Sequence, residues 1–535
     1  MRFHWQILFA LILLARPVFA QSSPTLTLSN QTGIDNLTYS SSGGAVSNPN
    51  LYVYLNQPGG TFGGANDCLV VVAHANGTLF SFGTPSDNVG GDTYTVVTNA
   101  TGTQNSVLLK TWVVFGVPAG VIKVTIPLIG NTSSSIMAYG GAWVEEFRNG
   151  CTGVGGSGFL AFTANGSAND LTLSAAPTSG DTVAAFALDT EFGGTSSSCT
   201  GNTIAFSAGW TPISDSPCYG KAAELNSSTT STSVPITFGG SHKIAMVALV
   251  INQGSAGTTP SGMYIDHEQA DQASSASATF TSEFPSSGNL FVPLFNAASN
   301  HGVTSFSLSN AGSPTTSLGC GPIYNTNNNA ELVQIPYAYG AALSPTTSVS
   351  LTLSAASRGI NPEYLSFTGA ASSPFVQCSP SHTSTYCPGG MCQSGNAGFQ
   401  NTAANTSTDT ITPINVGDFI VNNMAVDYHT QMGLATDGNG HTPSLLSAVD
   451  SAADNVGPLC SFGTPASTLA GDNGYSILRA ADNLLTTFIY TGTQTSGRCT
   501  NAPAGVQEWT SISIEFQPAG SQTVQPPTGL TAIVQ

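Results

Sequence analysis

Residues 417–426, Gly-Asp-Phe-Ile-Val-Asn-Asn-Met-Ala-Val, combine a turn with a mostly apolar strand. Similar stretches occur at residues 288–292, at residues 180–186 and, more loosely, at residues 66–72. Their Asp or Asn residues at positions 67, 181, 289 and 418 are 114, 108 and 129 residues apart, which is about the length of one small domain. This spacing predicts four tandem units that share one plan.

The remainder of each unit supports an all-β fold. Residues 121–126 and 349–353 alternate apolar and polar side chains, as half-buried strands do. Residues 244–250 and 509–516 close their units as long strands. Two packed antiparallel sheets per unit satisfy this order, because each sheet can then bury one face. We therefore predict tandem antiparallel β-sandwich units of jelly-roll or Ig-like topology. Features shared by alternate units suggest two pairs.

The first twenty residues have the pattern of a secretory signal peptide. Arg2 is basic, residues 7–15 are apolar, and residues 18–20 offer a small-residue cleavage pattern. The apolar run is too short to span a membrane. No later stretch contains 18 uninterrupted apolar residues, so we expect a secreted, extracellular chain without membrane insertion.

The remaining residues are too many for one hydrophobic core, so we predict several domains. The predicted segments are a signal peptide at 1–20, unit 1 at 21–155, unit 2 at 156–258, unit 3 at 259–376, a linker rich in Cys, Pro and Gly at 377–395, unit 4 at 396–519 and a Pro-rich tail at 520–535.

The charge balance narrows the possible partners. The chain has 10 Lys and Arg against 28 Asp and Glu, a net charge of −18. Nucleic acids and anionic membranes require clustered basic residues, so neither is an expected partner. Only 7% of the residues are charged, so Ser, Thr, Asn and Gly must form most of the polar surface. No P-loop, GxSxG or dinucleotide-binding motif occurs, and we predict no cofactor.

Ten cysteines in an oxidising compartment are best interpreted as five disulfides. When Cys378, two residues beyond the end of unit 3, is counted with that unit, each predicted segment holds an even number, as local pairing requires, although the sequence alone does not fix the connectivity. Metal binding is a weaker interpretation, since no CxxC motif occurs. The cysteines are Cys68 and Cys151 in unit 1, Cys199 and Cys218 in unit 2, Cys320 and Cys378 in unit 3, Cys387 and Cys392 in the linker, and Cys460 and Cys499 in unit 4.

The densest polar cluster, residues 264–271, contains Asp266 and Glu268. On an extended strand these two carboxylates would share a face, roughly 6.5–7 Å apart. That is near the separation of the catalytic pair in an inverting glycosidase. Catalytic pairs normally face each other across a cleft, however, and this stretch begins a unit, where a solvated edge strand is expected. We therefore predict no catalytic role for either residue.

Other acidic residues also have structural interpretations. Glu145 and Glu146 lie in a closing strand, so we expect one to face solvent and the other a sheet. The Asp437–His441 segment is interpreted as a loop. Two loop pairs could bind Ca²⁺ but lack an EF-hand pattern, so turn formation is preferred; they are Asp87 with Asp92 and Asp450 with Asp454. We predict no catalytic, metal or cofactor site.

The C-terminal residues 526–532, Pro-Pro-Thr-Gly-Leu-Thr-Ala, resemble the first strand of a fibronectin type III domain. With the repeated Gly-Asp or Gly-Asn strand and the turn at residues 86–94, the tandem units resemble secreted bacterial β-sandwich repeat proteins found next to fibronectin type III or Ig-like domains. This resemblance implies an extracellular location with adhesion or glycan contact. It transfers no catalytic residue.

Two functional hypotheses follow. The first is a non-enzymatic extracellular binding or adhesion protein, with a polysaccharide or cell-surface glycan as candidate ligand. The second is a secreted glycan-active hydrolase, which rests on the acidic excess and on Asp266 and Glu268. The sequence does not determine the oligomeric state.

We predict a disulfide between Cys199 and Cys218, which flank a short predicted strand at residues 204–206. Closing this loop contributes about 3 kcal/mol of stability in the chain-entropy model. Peptide mapping without reduction should recover the two cysteines in one linked fragment. Recovery of both as free thiols would refute the pairing.

Overall fold

The computed structural model describes the following residues: 21–22, 25–38, 50–54, 67–117, 123–130, 138–148, 151–164, 168–191, 204–216, 221–238, 241–255, 263–270, 279–284, 288–297, 302–308, 314–324, 332–340, 347–355, 360–379, 392–393, 400–402, 406–426, 430–441, 444–450, 472–494 and 507–520. Within these ranges every regular element is a β-strand apart from one 3-10 turn at Thr98–Ala100. The all-β prediction is confirmed.

The strands of the first half are given in chain order in two groups, those that end before Cys151 and those from Cys151 onwards. The first group comprises β1 (Gln21–Ser22), β2 (Thr25–Thr38), β3 (Asn50–Tyr54), β4 (Cys68–Asn76), β5 (Phe80–Phe82), β6 (Ser86–Asp87), β7 (Thr95–Val96), β8 (Gly102–Gln104), β9 (Val107–Phe115), β10 (Lys123–Gly130) and β11 (Ala138–Arg148). The second comprises β12 (Cys151–Thr163), β13 (Asn169–Thr172), β14 (Thr182–Asp189), β15 (Ile204–Phe206), β16 (Thr211–Ser216), β17 (Lys221–Asn226), β18 (Ser233–Phe238) and β19 (Lys243–Ser255).

The second half repeats this arrangement. Its first group comprises β20 (Tyr264–Ala270), β21 (Thr279–Phe284), β22 (Leu290–Ala297), β23 (Val303–Leu308), β24 (Thr315–Tyr324), β25 (Leu332–Tyr339), β26 (Thr347–Leu353) and β27 (Ile360–Thr368). Its second comprises β28 (Ala370–Ser379), β29 (Cys392–Gln393), β30 (Gln400–Thr402), β31 (Thr406–Ile411), β32 (Phe419–Val426), β33 (Thr430–Ala435), β34 (Ser444–Asp450), β35 (Asp472–Arg479), β36 (Thr486–Gln494) and β37 (Gln507–Pro518).

These strands form four β-sandwiches, each with a large sheet and a small sheet. Among the described residues each large sheet has six strands and each small sheet three or four. The large sheets contain the orders β2-β11-β4-β9-β7, β1-β19-β14-β17-β16, β20-β27-β22-β25-β24-β29 and β28-β37-β32-β35-β34, and the small sheets contain β3-β10-β5, β13-β18-β15, β21-β26-β23 and β31-β36-β33. The pairings are antiparallel except that of β24 with β29.

The repeated Gly-Asp stretch has the same position in every sandwich. Its strand, which is β4, β14, β22 or β32, lies in the large sheet next to the closing strand of its sandwich. The predicted alternating strand is central in the small sheet. Successive strands largely cross from one sheet to the other, which is the order of a jelly roll. The topology is therefore of jelly-roll rather than Ig-like type.

The large sheets are buried on both faces. All eight residues of β14 are buried. Val183, Ala185 and Ala187 pack against the small sheet of their own sandwich. The intervening Ala184 and Phe186 pack on the large sheet of the first sandwich. Two sandwiches therefore meet through their large sheets and form a pair with four layers.

Aromatic contacts join the large sheets within both pairs. In the first pair the rings of Trp143 and Phe186 are 5.6 Å apart. In the second pair Phe367 from the third sandwich lies 6.0 Å from Phe419 of the fourth, and Tyr337 lies 5.5 Å from Phe516. Each such ring removes a large apolar area from water, which makes this layer a main source of stability.

Each pair of sandwiches is also joined by a disulfide. Cys68 in β4 is bonded to Cys151, which begins β12 in the large sheet of the second sandwich. Cys320 in β24 is bonded to Cys378 in β28, a strand of the fourth large sheet. The expectation that the cysteines form disulfides is confirmed for these four. Each bond connects facing sheets, however, whereas the sequence analysis assigned both cysteines of each pair to one unit.

The other predicted pairs fall largely outside the described residues. Cys392 lies in β29, and its predicted partner Cys387 lies outside the described ranges. So do Cys199, Cys218, Cys460 and Cys499. The observed disulfides indicate a non-reducing environment. Among the residues that the structure describes, no helix has the length and apolar character required to cross a membrane.

In the second and third sandwiches, the Asp or Asn that precedes β14 or β22 fixes the start of that strand through side-chain hydrogen bonds. In the second sandwich Asp181 accepts hydrogen bonds from the Gln253 and Thr178 main-chain N–H groups, at 2.9 and 2.8 Å. In the third, the Asn289 amide donates to the Ala370 carbonyl at 2.7 Å and accepts from the Ala370 N–H at 3.0 Å. The glycines before Asp181 and Asp418 have φ of 97° and 92°, a conformation that favours glycine.

We predict that Asn289→Ala lowers the free energy of unfolding by about 1–3 kcal/mol, because the Ala370 main chain loses both side-chain partners. Exposed Asn88→Ala serves as the control and should change it by less than about 0.5 kcal/mol. Chemical denaturation of both variants and the wild type measures this difference. Equal stability of the two variants would contradict the anchoring role.

Candidate functional site

The structure separates the acidic residues that the sequence analysis considered. Asp266 and Glu268 lie in β20, at the edge of the third large sheet. The register of β20 against β27 shifts between Ile265 and His267, so Asp266 lies at a bulge. The prediction that both carboxylates share a face assumed regular alternation, which the bulge interrupts.

Glu145 and Glu146 correct one expectation. Both side chains are fully buried in β11, so the prediction that one of them faces solvent is wrong. The reason is that the first large sheet packs against a sheet on each side, so a strand in its interior has no solvent face. The sequence analysis had assumed a sheet with one wet face.

The loop acids behave as turn formers. Asp87 accepts hydrogen bonds from the N–H groups of Val89 and Gly90, at 2.9 and 2.7 Å, and from the Tyr94 hydroxyl at 3.2 Å. Burial, together with the neighbouring Asp87, raises the pKa of Asp92 to about 7. Asp450 ends β34, and Asp454 lies outside the described residues. No group of His, Cys, Asp and Glu in the described ranges has a metal-binding arrangement.

The fourth sandwich differs from the third in the chemistry of its interior. In the third, aromatic and aliphatic residues such as Phe291, Tyr364 and Leu351 fill the space between the sheets. In the fourth, the corresponding space contains the buried carboxyl groups of Asp409, Asp418 and Glu515. Asp409 lies nine residues before Asp418, and the residue nine before Asn289 is Phe280. An acidic residue thus replaces an aromatic one at the same register.

Asp409 connects the two sheets of this sandwich. It projects from β31 and accepts hydrogen bonds from the Asn422 amide and the Ser513 hydroxyl, both at 2.7 Å. The Ser379 hydroxyl donates at 3.1 Å, and the Thr410 N–H at 2.9 Å. Burial raises the pKa of Asp409 to about 6, although these donors act in the opposite direction. The cluster is closed to solvent, so it can stabilise the fold but not contact a ligand.

A second polar cluster lies near the surface of the fourth sandwich. Buried His441 is held between two carboxylates, with Nδ1 2.8 Å from Asp437 and Nε2 3.1 Å from Asp482. Asp437 also accepts the Thr487 N–H at 2.9 Å. Although burial lowers the pKa of His441, hydrogen bonds to both carboxylates raise it above its usual value overall. Within the predicted loop, His441 therefore links the segment that carries Asp437 to the segment that carries Asp482. We call this pair of contacts the ionic lock.

Beside this lock, two loops expose four large aliphatic side chains. We call residues 412–417 and 481–485 the loop platform. Ile414 and Val416 are 51% and 59% exposed, and Leu484 and Leu485 are 53% and 49% exposed. The other exposed large apolar residues of the described chain are distributed over loops and strands elsewhere. Isolated exposed apolar residues are ordinary; these four differ in that the two loops that carry them are joined by hydrogen bonds.

Hydrogen bonds hold the two loops of the platform together. The Asn483 amide donates to the Ile414 carbonyl, and the Gly417 N–H donates to the Ala480 carbonyl at 2.8 Å. The Ile414 N–H donates to Glu515 at 2.8 Å. The Asn439 amide donates to the Leu485 carbonyl at 2.8 Å, which joins the platform to the His441 loop. The aliphatic side chains are therefore presented by fixed backbone.

This surface was not among the sites expected from the sequence. Leu485 immediately precedes β36, which begins at Thr486. Ile414 and Val416 lie in a short stretch between β31 and β32. The available signal was the presence of large aliphatic residues in two short stretches that flank strands of one unit. The proximity of those loops depends on the strand order, which the sequence did not specify.

Comparisons with known proteins supply no further assignment. No protein-family model matches the chain, and no curated protein matches it significantly.

We predict that the His441 imidazole has a pKa above 6.5, since two carboxylates accept from its nitrogens. A raised histidine pKa stabilises the folded protein fully below about pH 6.5, and this stabilisation is lost as the pH rises through the folded value. Asp482→Asn should lower the pKa, while exposed Asp170→Asn should leave it unchanged. A titration of the imidazole followed by NMR tests this. A pKa at or below 6.5 in the wild type would exclude the ionic lock.

Proposed function

We propose that the protein is a secreted, non-enzymatic extracellular binding or adhesion protein, and that the loop platform of the fourth sandwich is its binding surface. The observation that carries the proposal is the group of four half-exposed aliphatic side chains on hydrogen-bonded loops. Fixed loops bind with little loss of conformational entropy, so the apolar contact energy is retained in the affinity.

The chemistry of the platform favours a protein partner. Its exposed residues are Ile, Val and Leu, and no aromatic ring among them offers a flat face for a sugar. Aliphatic surface of this kind is typical of protein interfaces. A polysaccharide or cell-surface glycan, the ligand expected from the sequence, is therefore the less favoured occupant of this surface.

The negative charge near the platform further restricts the class of partner that can bind there. Asp482 borders the platform with its side chain 44% exposed, and the whole chain carries a net charge of −18. A second copy would bring the same acidic groups to the contact, and anionic membranes and nucleic acids would be repelled. We infer a different protein, with an apolar contact surface flanked by Lys or Arg.

An extracellular location is consistent with two features. The N-terminal twenty residues have the pattern of a signal peptide, and the two observed disulfides require a non-reducing environment. The resemblance to secreted repeat proteins next to fibronectin type III domains agrees with this location. That family assignment remains a proposal.

The hydrolase alternative depends on Asp266 and Glu268. The bulge at Asp266 and the position of β20 at a sheet edge do not favour a catalytic pair there. The alternative is therefore retained only as an outcome of the test.

The test compares two quadruple variants with the wild type. Ile414, Val416, Leu484 and Leu485 are replaced with Ser in one variant, and the similarly exposed Val89, Val96, Ile129 and Leu318 in the control. The probes are displayed peptides in which an apolar core is flanked by Lys, the same peptides flanked by Glu, and a glycan array. We expect Lys-flanked peptides to bind the wild type and the control at least ~10-fold more tightly than the platform variant, about 1.4 kcal/mol.

Two outcomes would overturn this proposal. Peptide binding that the platform substitutions leave unchanged would remove the platform as the binding surface. Turnover of chromogenic glycosides by the wild type that disappears in Asp266→Asn/Glu268→Gln would replace the binding protein with the hydrolase, since losing an acid/base pair reduces turnover by at least ~10²-fold.

A further inference from the structure

A buried pair of carboxyl groups lies beneath the loop platform. Asp418 precedes β32, and Glu515 lies in the neighbouring strand β37, with both side chains fully buried. Glu515 accepts the N–H of Ile414 through Oε1 and the Gln377 amide through Oε2. Asp418 accepts the Asn415 amide at 3.0 Å. The pair therefore holds the platform segment 412–417 from its inner side.

The two carboxyl groups also interact with each other. The Asp418 Oδ1 atom is buried and receives no N–H or O–H donor from the described residues. Asp418 lies two residues before Ile420, whose partner in β37 is Glu515, so the two carboxyl groups lie on the same face of adjacent strands. Two adjacent carboxylates in a buried site cannot both be ionised at low cost. A proton held between them satisfies the buried oxygen and removes one of the two charges. Burial raises the pKa of Glu515 to about 7, and that of Asp418 above its usual value.

No described cation faces this pair. Asp409 lies farther along the same face and adds negative charge when ionised. Arg479 on the adjacent strand β35 lies over the ring of Phe419 and donates to the Met263 carbonyl, on the other face of the sheet. In the neighbouring loop at residues 437–441, the His441 imidazole is already bonded to Asp437 and Asp482. A second negative charge on the pair would therefore have no compensating partner.

We propose that the Asp418–Glu515 pair makes the loop platform sensitive to pH, because its shared proton fixes segment 412–417 and loss of that proton releases it. This inference rests on the proposed function of the platform as a binding surface. It assigns that surface an active form under acidic conditions and a loosened form under alkaline conditions.

The direction follows from the protons bound in each state. The ordinary pKa of Glu515 is 4.5, and its folded pKa is about 7. Between these values the folded chain keeps a proton that the unfolded chain releases. The contribution to stability is therefore complete below about pH 4.5 and is lost as the pH rises through about 7. His441 changes in the same direction, so the experiment must separate the two groups.

The experiment measures hydrogen exchange at the Ile414 amide in the intact chain at pH 5 and pH 8, corrected for the intrinsic rates. In the wild type we expect protection to fall at least ~10-fold between these pH values. Glu515→Gln keeps a carbonyl oxygen for the Ile414 N–H and supplies a permanent donor to Asp418. That variant should keep its protection at pH 8, and Asp418→Asn provides a second variant of the same kind.

An Asp482→Asn variant isolates the contribution of the His441 lock, and its Ile414 amide should keep the wild-type pH dependence. Protection that is equal at pH 5 and pH 8 in the wild type would overturn the proposal. So would a loss at pH 8 in Glu515→Gln as large as in the wild type. Because exchange requires no ligand, a pH-dependent Ile414 amide with no peptide binding would reject the platform as a binding surface and retain the switch.

Discussion

The structure depends on the face-to-face packing of large sheets. A sheet in the middle of four layers has no wet side, so each of its central strands must bury every residue, as β14 does. Val, Ala and Phe satisfy that requirement at little cost, whereas a charge there must be paired or neutralised. This constraint fits a chain with only 7% charged residues, because much of the strand sequence is committed to interior positions and the remaining surface is made of Ser, Thr, Asn and Gly.

The fourth sandwich departs from this pattern, because buried acidic side chains lie between its large and small sheets. Asp409 is satisfied by donors from three strands, and we propose that Asp418 and Glu515 share a proton. Polar interiors of this kind fix a unique arrangement when every group is bonded, and they fail when one is not. Apolar packing depends little on pH, so the interior of the third sandwich is held largely by contacts that protons do not alter. In the fourth, by our proposal, a shared proton holds part of the interior and the loop above it.

Much of the fold could be predicted from the sequence, because the repeated Gly-Asp stretch and the alternating strands each report on one strand and its two faces. The even numbers of cysteines per segment predicted disulfides but left their connectivity open. What could not be predicted was the surface that each face meets. Glu145 and Glu146 occupy a strand that looks half-exposed, and only the second layer buries both. The platform was missed for the same reason, since Ile414 and Leu484 are neighbours only through strand order.

The disulfides between facing sheets have a mechanical consequence. The bond from Cys68 to Cys151 spans 83 residues, and the bond from Cys320 to Cys378 spans 58. When the chain is stretched between its ends, tension passes across each sulfur bridge rather than through the strands enclosed between its cysteines. The first and third sandwiches therefore keep β5 to β11 and β25 to β27 out of the load path. A chain built this way has a limited extension under force, set by covalent bonds rather than by the strength of its sheets.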